Sequence, residues 1–298
     1  MKRHHRAVGL ATALCSALLA SGCATNLSGS GLPTSSAEQD LPPIEASQEL
    51  FEKLPPSVQS SKTITVGTSP NYKPVEFLEG SQISGLDIDL FNAVAARMGV
   101  KVEWQESPFD QILIGIQAKK YDAGVSAFTV TPERTKTVNM VSYLNAGSLW
   151  AVQKGNPKQV AAGEPPCGRT VAVQVGVVQE MEMKAAQAKC RGNKIKLLSF
   201  TEQGEATTAL ISGRADMMAA DSPISLYAIK MSGDKIEPLG DSYDTAPYGV
   251  VIRKDQPEFA QAVRQAYDDL RASGHYEQIL ATWNQADGAI EAFEVNPA

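Results

Sequence analysis

A structural unit occurs twice in this sequence, about a hundred residues apart, and it limits the possible folds more than any other feature. The two copies are Phe109–Thr129 and Glu205–Pro223. Each copy predicts a helix with an apolar stripe, a short basic break, and a strand of small residues that follows an Asp, which is Asp122 in the first copy and Asp216 in the second. An Asp that recurs at the same boundary indicates an architectural role.

Strands and helices alternate around both copies, and the predicted strands Lys62–Thr68 and Arg169–Val175 resemble each other. This alternation predicts an α/β fold with parallel sheets. Ligands of such folds bind beyond the carboxyl ends of the strands. Arg134 follows the first copy of the unit and Asp221 lies in the second, just after its strand. Two lobes with opposite charges at their strand ends predict a clamp for a zwitterion.

Two extended apolar segments, Leu149–Gln153 and Tyr248–Arg253, are predicted to carry the chain between the lobes. We therefore expect a two-lobed fold in which each lobe is a sandwich of strands and helices, joined by two interlobe strands. The expected boundaries are a signal peptide at 1–22, a flexible tether at 23–61, the first part of lobe 1 at 62–152, lobe 2 at 153–246, and a return to lobe 1 with C-terminal helices at 247–298. Prolines discourage helix in the tether, with a short helix at Glu45–Leu54 as the alternative.

The N-terminus is typical of a secreted protein. A basic start is followed by the short apolar stretch Ala7–Ala20 and then by small residues and a Cys. The run from Ala20 to Cys23 resembles a bacterial lipobox, with Ala20 where Leu is most common. We expect cleavage before Cys23 and a lipid anchor on that residue, which would hold the protein on the outer face of the cytoplasmic membrane. The alternative is an ordinary secretion signal.

Charge and cysteine content exclude some functions. The net charge of −6 becomes −9 when residues 1–22 leave with three basic and no acidic side chains, and this argues against a nucleic-acid-binding protein. Cys167 and Cys190 remain in a chain bound for an oxidising compartment, so we expect them to form a disulfide, with two buried thiols as the alternative. Two Cys without a nearby His do not predict a metal site, and we expect no cofactor.

Several segments resemble the extracellular solute-binding proteins of family 3, which serve bacterial importers of polar amino acids. The resemblance runs from about Ile64 to Trp283 and rests on GLDIDLFNAVAARMGVKVEW, SPFDQILIGIQAKKYDAGVSAFTVTPERTKTV, VAVQVGVVQE, GRADMMAADSP and APYGVVIRKDQPE. It implies the type II periplasmic-binding fold. It also implies that the protein captures a polar amino acid, or a similar zwitterion, and delivers it to an ABC transporter permease.

The same resemblance assigns roles to residues near the first strand ends. It places Arg134 on the ligand's α-carboxylate, a role that suits the planar fork of a guanidinium. Thr129 stands where relatives often have a hydroxyl that binds the ligand. Ala127 stands where many relatives have another polar contact, so only its backbone could serve.

In the second lobe, the resemblance implies that Asp221 accepts the ligand's ammonium group. Gly176, Val177 and Val178 precede a predicted helix, and free N–H groups at such a helix start can bind an anion. Relatives often have Thr or Ser where the two Val residues stand, so this chain would use backbone amides alone.

Tyr72 and Phe109 match positions that face the ligand side chain in relatives, with core packing as the alternative. Ser69 stands where some binders of basic amino acids carry an Asp, which argues against a basic ligand. Glu76 could supply that carboxylate instead.

Two other functions remain open. One is a cyclohexadienyl dehydratase acting on prephenate- or arogenate-like acids, since some proteins similar to this family have that activity. No nucleophile–base pair is evident, and His275 is the only His outside the predicted signal peptide. The other is a sensor module that binds a receptor. We expect no enzymatic activity and a monomer.

Overall fold

The computed structural model describes residues 41–297, in which helices and strands alternate along most of the chain. The helices are α1 (Gln48–Glu52), α2 (Pro56–Ser61), α3 (Leu86–Arg97), α4 (Phe109–Gln117), α5 (Pro132–Thr137), α6 (Val178–Ala186), α7 (Gln203–Ile211), α8 (Ser222–Met231), α9 (Pro257–Ala272) and α10 (His275–Thr282). The strands are β1 (Thr63–Thr68), β2 (Asn71–Tyr72), β3 (Glu76–Glu79), β4 (Gln82–Ser84), β5 (Lys101–Glu106), β6 (Ala123–Gly124), β7 (Val138–Gln153), β8 (Thr170–Gln174), β9 (Lys196–Phe200), β10 (Met217–Asp221) and β11 (Ile236–Arg253).

Eight strands form one sheet in the order β5-β1-β6-β11-β7-β10-β8-β9. On one side, β1 is parallel to β5 and β6; on the other, β8 is parallel to β9 and β10. We call these sides the first and second lobes. The long strands β7 and β11 lie between them as an antiparallel pair and serve both. The predicted α/β fold of two lobes joined by two interlobe strands is confirmed, although both strands begin earlier in the chain than expected.

Each lobe has its own apolar core. In the first lobe, α3, α9 and α10 pack on the sheet through fully buried side chains such as Phe91 and Tyr267. In the second lobe, smaller clusters around Met183 and Leu210 lie on β8 and β10. The first lobe's core also includes Ala220 and Ile224 of the second lobe, so the two lobes have apolar contacts with each other as well as β7 and β11 in common.

The recurring Asp has the same structural task in both lobes. The Asp122 carboxylate accepts a hydrogen bond of 3.0 Å from Thr65 N, and the Asp216 carboxylate accepts one of 2.8 Å from Thr170 N. In both cases the Asp backbone N–H donates to the carbonyl of the same Thr. Each Asp therefore fixes the register of two neighbouring parallel strands. This is the architectural role that its recurrence in the sequence predicts.

The expected flexible tether is too long at its C-terminal end. Residues 48–61 form α1 and α2, and Leu50, Leu54 and Val58 are buried in the first lobe's core. The alternative of a short helix within Glu45–Leu54 is confirmed by α1. Prolines discourage helix, but Pro56 occupies the first turn of α2, where its missing N–H is tolerated. The predicted signal peptide and lipid site at Cys23 lie outside the described residues.

A disulfide joins Cys167 and Cys190, as predicted, with 5.4 Å between their Cα atoms. It connects the loop before β8 to the segment after α6. The bond thereby closes a surface loop of the second lobe.

Removing this disulfide by the double substitution Cys167→Ser and Cys190→Ala should lower the free energy of unfolding by about 3 kcal/mol, because the unfolded chain regains the entropy of the open loop. Urea unfolding monitored by circular dichroism measures the change. Reducing agent should destabilise the wild type by a similar amount and leave the double variant unaffected. A variant as stable as the oxidised wild type would contradict the prediction.

Candidate ligand-binding site

One cavity at the strand ends brings together most of the residues that the sequence singled out. Its empty volume is about 270 Å³, including the part open to solvent. Except for Gly176, all the predicted ligand-binding residues line it, and Glu76 and Gln174 are added: Ser69, Tyr72, Glu76, Phe109, Ala127, Thr129, Arg134, Gln174, Val177, Val178 and Asp221.

Both lobes contribute to this cavity through the carboxyl ends of their strands and the starts of their helices. Ser69 follows β1, while Gln174 and Asp221 end β8 and β10. Phe109 and Val178 begin α4 and α6. The arrangement follows the general rule that α/β folds place ligands beyond the carboxyl ends of their strands.

Arg134 is the cation of the cavity. Thr131 caps α5 by accepting a hydrogen bond of 3.2 Å from Arg134 N, and Pro132 occupies the first turn. The guanidinium donates to Thr129 O at 2.7 Å and, across the lobes, to Gly176 O at 3.0 Å. Burial lowers its pKa to about 10, partly opposed by Asp221, so the group is charged at neutral pH. A guanidinium has five N–H donors, which leaves others for a ligand.

Two aromatic rings support this guanidinium. Its central carbon lies 5.7 Å from the centroid of the Phe109 ring and 5.4 Å from that of Phe128. The two rings stack at 4.5 Å. Cation–π attraction of this kind is worth about 0.5–2 kcal/mol and holds the charged group in place.

Asp221 is the counterpart of Arg134 in the second lobe. Its Oδ1 accepts a hydrogen bond of 2.7 Å from Gln179, and its Oδ2 accepts bonds of 3.1 Å from Tyr72 and 2.8 Å from Tyr248. Burial raises the pKa of Asp221, and these hydrogen bonds and Arg134 act in the opposite direction. The carboxylate is therefore oriented by three uncharged donors.

Several hydrogen bonds hold the lobes together around the cavity. Tyr72 of the first lobe bonds to Asp221 of the second, and Arg134 bonds to the carbonyl of Gly176. Near the mouth, Asn71 Oδ1 accepts hydrogen bonds of 3.2 Å from Gln174 Nε2 and from the backbone N–H at 203. Both charged groups of the clamp thus take part directly in lobe-to-lobe contacts.

Glu76 places a second carboxylate in the cavity. Its Oε1 accepts a hydrogen bond of 2.8 Å from Ser126, whose hydroxyl oxygen accepts one from Ser69 N. Its Oε2 is buried and has no hydrogen-bond partner among the described residues. Burial, and then the negative charge of Asp87, raise the pKa of Glu76 well above its usual value. A buried, unpaired carboxyl oxygen is costly unless something satisfies it.

Two expected backbone donors are already used within the protein. Ala127 N donates to Asp87 Oδ2 at 2.8 Å, so the carbonyl is the backbone group left for a ligand. Gly176 N donates to Glu180 Oε2 at 3.0 Å. Although burial opposes it, this bond together with Ser199 and Lys184 lowers the pKa of Glu180. The expected anion site is therefore reduced to Val177 and Val178 at the start of α6, where Val177 provides no side-chain cap.

Four residues important for the site's geometry were missed or only touched on by sequence reasoning. Gln174 ends β8 and is the penultimate residue of the predicted strand Arg169–Val175, so the strand-end rule could have identified it. Gln179 and Tyr248 orient Asp221 from α6 and β11, and no local pattern points to them. Glu76 appears in the sequence analysis only as an alternative carboxylate for a basic ligand.

The cavity offers no support for a catalytic His or a metal centre among the described residues. His275 begins α10, bonds to Ser273 and does not line the cavity. Within residues 41–297 no group of three or more His, Cys, Asp or Glu side chains is arranged to hold a metal ion. Over the same described residues, no helix has the length and apolar character needed to cross a membrane.

Comparisons with known proteins agree with this architecture. Residues 64–286 match the family of bacterial extracellular solute-binding proteins, family 3. The arginine-binding protein ArgT of Corynebacterium glutamicum is 34% identical over 253 residues, which cover 83% of each chain. The L-arginine-binding protein of Pseudomonas aeruginosa is 27% identical and covers 75% of this chain and 88% of its own.

Solved structures give the same result. An ancestral arginine-binding protein bound to arginine superposes with a TM-score of 0.70 at 30% identity, over 74% of this chain and 98% of its own. An ancestral amino acid-binding protein described as a precursor of cyclohexadienyl dehydratase gives 0.69 at 32% identity, over 76% and 97%. With a match to the family model over residues 64–286 and a relative 34% identical over 83% of each chain, the chain belongs to the bacterial extracellular solute-binding proteins of family 3.

Proposed function

We propose that this protein captures a basic amino acid, with L-arginine as the first candidate, and presents it to an ABC importer permease. Solute binding itself follows from the family; the proposal concerns the solute and the groups that bind it. One observation carries it: a single cavity holds one cation, Arg134, and two carboxyl groups, Asp221 and Glu76. A basic amino acid has the complementary set of one carboxylate and two cationic groups.

Each group has a distinct task in this proposal. Arg134 binds the α-carboxylate bidentately, which its fork geometry favours. Asp221 binds the α-ammonium group and Glu76 binds the cationic end of the side chain through its unpaired Oε2. Tyr72 and Phe109 flank the ligand and exclude water. Glu76 thereby takes the role that the Ser at position 69 cannot fill.

Closure of the lobes couples these contacts. The first lobe supplies Arg134 and Glu76, and the second supplies Asp221, so only the closed arrangement completes all three charge contacts. A ligand that binds the closed state better shifts the population towards it. With roughly 1.5–3 kcal/mol for each charge-assisted hydrogen bond, a few such bonds give a micromolar or tighter complex, which corresponds to about 8 kcal/mol or more.

Relatives support this choice of ligand. The matched proteins from Corynebacterium glutamicum and Pseudomonas aeruginosa are named as arginine-binding, and one from Escherichia coli as lysine/arginine/ornithine-binding. These relatives are binding proteins, and no observation in the cavity favours the dehydratase alternative.

Calorimetric titration with the twenty amino acids tests the proposal directly. The protein is first unfolded and refolded to strip any carried-over ligand. Stoichiometric binding of arginine, with weaker or no binding of glutamate, is the expected result. Binding of an acidic or apolar amino acid in preference to arginine would refute the assignment of a basic ligand, and turnover of prephenate would favour the enzyme.

Glu76→Gln should weaken arginine binding by about 10- to 100-fold, because the guanidinium loses a charged acceptor worth roughly 1.5–3 kcal/mol. Citrulline, which has arginine's shape without its charge, should bind the variant and the wild type about equally. Calorimetry with both compounds measures the change. Glu79→Gln on the exposed end of β3 is the matched control and should leave both affinities unchanged.

The raised pKa of Glu76 adds a dependence on pH to the same prediction. A cationic ligand stabilises the ionised form, so binding should release a proton and arginine affinity should rise with pH where Glu76 is protonated in the free protein. Binding enthalpies in phosphate and Tris buffers, which differ in ionisation enthalpy, report that proton. Identical enthalpies in both buffers would contradict the ligand contact at Glu76.

We further propose that the mature protein is a monomer held on the outer face of the cytoplasmic membrane by a lipid on Cys23. The lipobox-like run before Cys23 supports the anchor. Mass spectrometry of the processed N-terminus tests it, since a diacylglyceryl-modified Cys is expected as the first residue. An unmodified N-terminus would leave secretion without an anchor.

A further inference from the structure

The short strand β2 supplies two side chains that reach from the first lobe to the second. Tyr72 lines the ligand cavity and donates a hydrogen bond to Asp221. Asn71, one residue earlier, does not line the cavity. Its Oδ1 accepts hydrogen bonds of 3.2 Å from Gln174 Nε2 and from Gln203 N. Since successive side chains of a strand point to opposite faces, β2 joins the lobes at two separate places.

The orientation of the Asn71 amide is fixed by its partners. The backbone N–H of Gln203 can only donate, so the amide atom that faces it must be the oxygen. This leaves Nδ2 to donate to Ser69 Oγ at 3.0 Å within the first lobe. The Gln174 amide is fixed in the same way, because its Nε2 also donates to the carbonyl of Thr201 at 3.0 Å. The contact is therefore a defined hydrogen-bond network between the lobes.

Asn71 also caps a helix of the other lobe. Gln203 is the first residue of α7, and Glu202 before it makes no side-chain cap hydrogen bond. The first N–H groups of a helix have no partner within the helix, and Asn is among the residues that most often satisfy them. Here the capping oxygen comes from a residue 132 positions earlier in the chain. When the lobes separate, α7 loses this cap.

The Asn71 network is independent of the groups that are proposed to bind the solute. Asp221 and Arg134 take part in the other interlobe hydrogen bonds described above, and both are assigned to charged groups of the solute. A bound solute therefore alters those bonds. The bonds of Asn71 use neither group, so they form whenever the lobes are closed. Asn71 thus stabilises closure by an amount that does not depend on which solute is bound.

We propose that Asn71 is a latch between the lobes, whose bonds to Gln174 and to the start of α7 stabilise the closed arrangement with or without a solute. Asn71 is then a positioning residue, since it holds Asp221 opposite Arg134 without touching the solute. The proposal rests on the closure proposed above but not on arginine as the solute. A contact that exists only in the closed arrangement shifts the lobes towards it and slows release of the solute.

Residual dipolar couplings of the backbone N–H groups test the latch in the refolded protein without added amino acid. Couplings fitted for each lobe by itself show whether a variant is folded, and both fits together give the average orientation of one lobe relative to the other. Asn71→Ala should rotate this orientation away from the closed arrangement. Asn193→Ala, in an exposed loop of the second lobe, is the matched control and should not. An orientation that Asn71→Ala leaves unchanged, with both lobes folded, would overturn the proposal.

Stopped-flow fluorescence with arginine and lysine gives a second readout. Asn71→Ala should raise the dissociation rate constant by about threefold to thirtyfold, as expected for one or two uncharged hydrogen bonds. The association rate constant should stay nearly unchanged, and both amino acids should be affected by the same factor. A slower association with unchanged dissociation, or an effect on one amino acid alone, would also overturn the latch. If neither amino acid binds the wild type, the proposed solute is refuted and the lobe orientation decides on the latch.

Discussion

Arg134→Ala is expected to weaken arginine binding by about 10²- to 10⁴-fold. Arg134 is 7% exposed, and its guanidinium donates to the carbonyls of Thr129 and Gly176, which orients the remaining donors. Two charge-assisted hydrogen bonds to a carboxylate contribute roughly 3–6 kcal/mol in total, and each 1.4 kcal/mol is about tenfold in affinity. Calorimetry with arginine measures the loss.

Arg134→Ala also removes a hydrogen bond between the lobes, because the guanidinium donates to the carbonyl of Gly176. Arg134→Lys keeps the charge but loses the planar fork, so we expect an intermediate affinity. Lys136→Ala changes the same charge on the exposed face of the same helix and should bind arginine like the wild type. An Arg134→Ala protein that is folded by circular dichroism and binds arginine with wild-type affinity would refute the proposed site.

Asp221→Asn is expected to have the second large effect, a loss of arginine affinity of two to three orders of magnitude. Truncating one partner of a buried, hydrogen-bonded charge pair across a binding interface costs roughly 2–5 kcal/mol, and the ligand's ammonium group would lose its charged acceptor. Calorimetry again measures this. Asp234→Asn, which makes the same change of charge at an exposed turn of the second lobe, is the control.

The same substitution should leave the ligand-free protein as stable as the wild type, or more stable. Because burial raises the pKa of Asp221 above its value in the unfolded chain, folding disfavours its ionised form at neutral pH, and the neutral amide avoids that cost. Gln179 can turn its unpaired Oε1 towards the new amide. Thermal unfolding without ligand tests this, and a strong loss of stability would assign Asp221 a structural role instead.

The tether shows how the sequence misleads where local signals are weak. A Pro-rich, Ser-rich stretch without a long periodic pattern favours an irregular chain as far as residue 61, with a short helix at Glu45–Leu54 as the alternative. Short helices such as α1 and α2 gain little from intrinsic propensity and depend on packing. Their Leu50, Leu54 and Val58 side chains become ordered because the first lobe offers an apolar surface, which the sequence of the tether does not reveal.

Glu76 shows that the sequence likewise does not reveal the long-range packing within the site. The sequence indicates Glu76 as a possible carboxylate for a basic ligand, but it does not indicate the neighbours of that carboxylate. Ser126 comes from a distant part of the chain and Asp87 from α3, and their packing around β3 buries the carboxyl group and raises its pKa. Ser69 argues against a basic ligand, whereas the buried carboxyl group of Glu76 favours one. The proposed ligand is therefore basic.

The sequence by itself determined the repeated unit, the order of strands and helices, the disulfide and the charged residues at the strand ends. The order of strands and helices along the chain follows from periodicity and from the short basic breaks, whose effects act over a few residues. The disulfide follows from two Cys in a chain bound for an oxidising compartment. The tertiary structure alone decided which side chains meet across the lobes. Asp221 gains Tyr72 and Tyr248 as donors from far along the chain, because long-range packing brings them together and no local pattern encodes that contact.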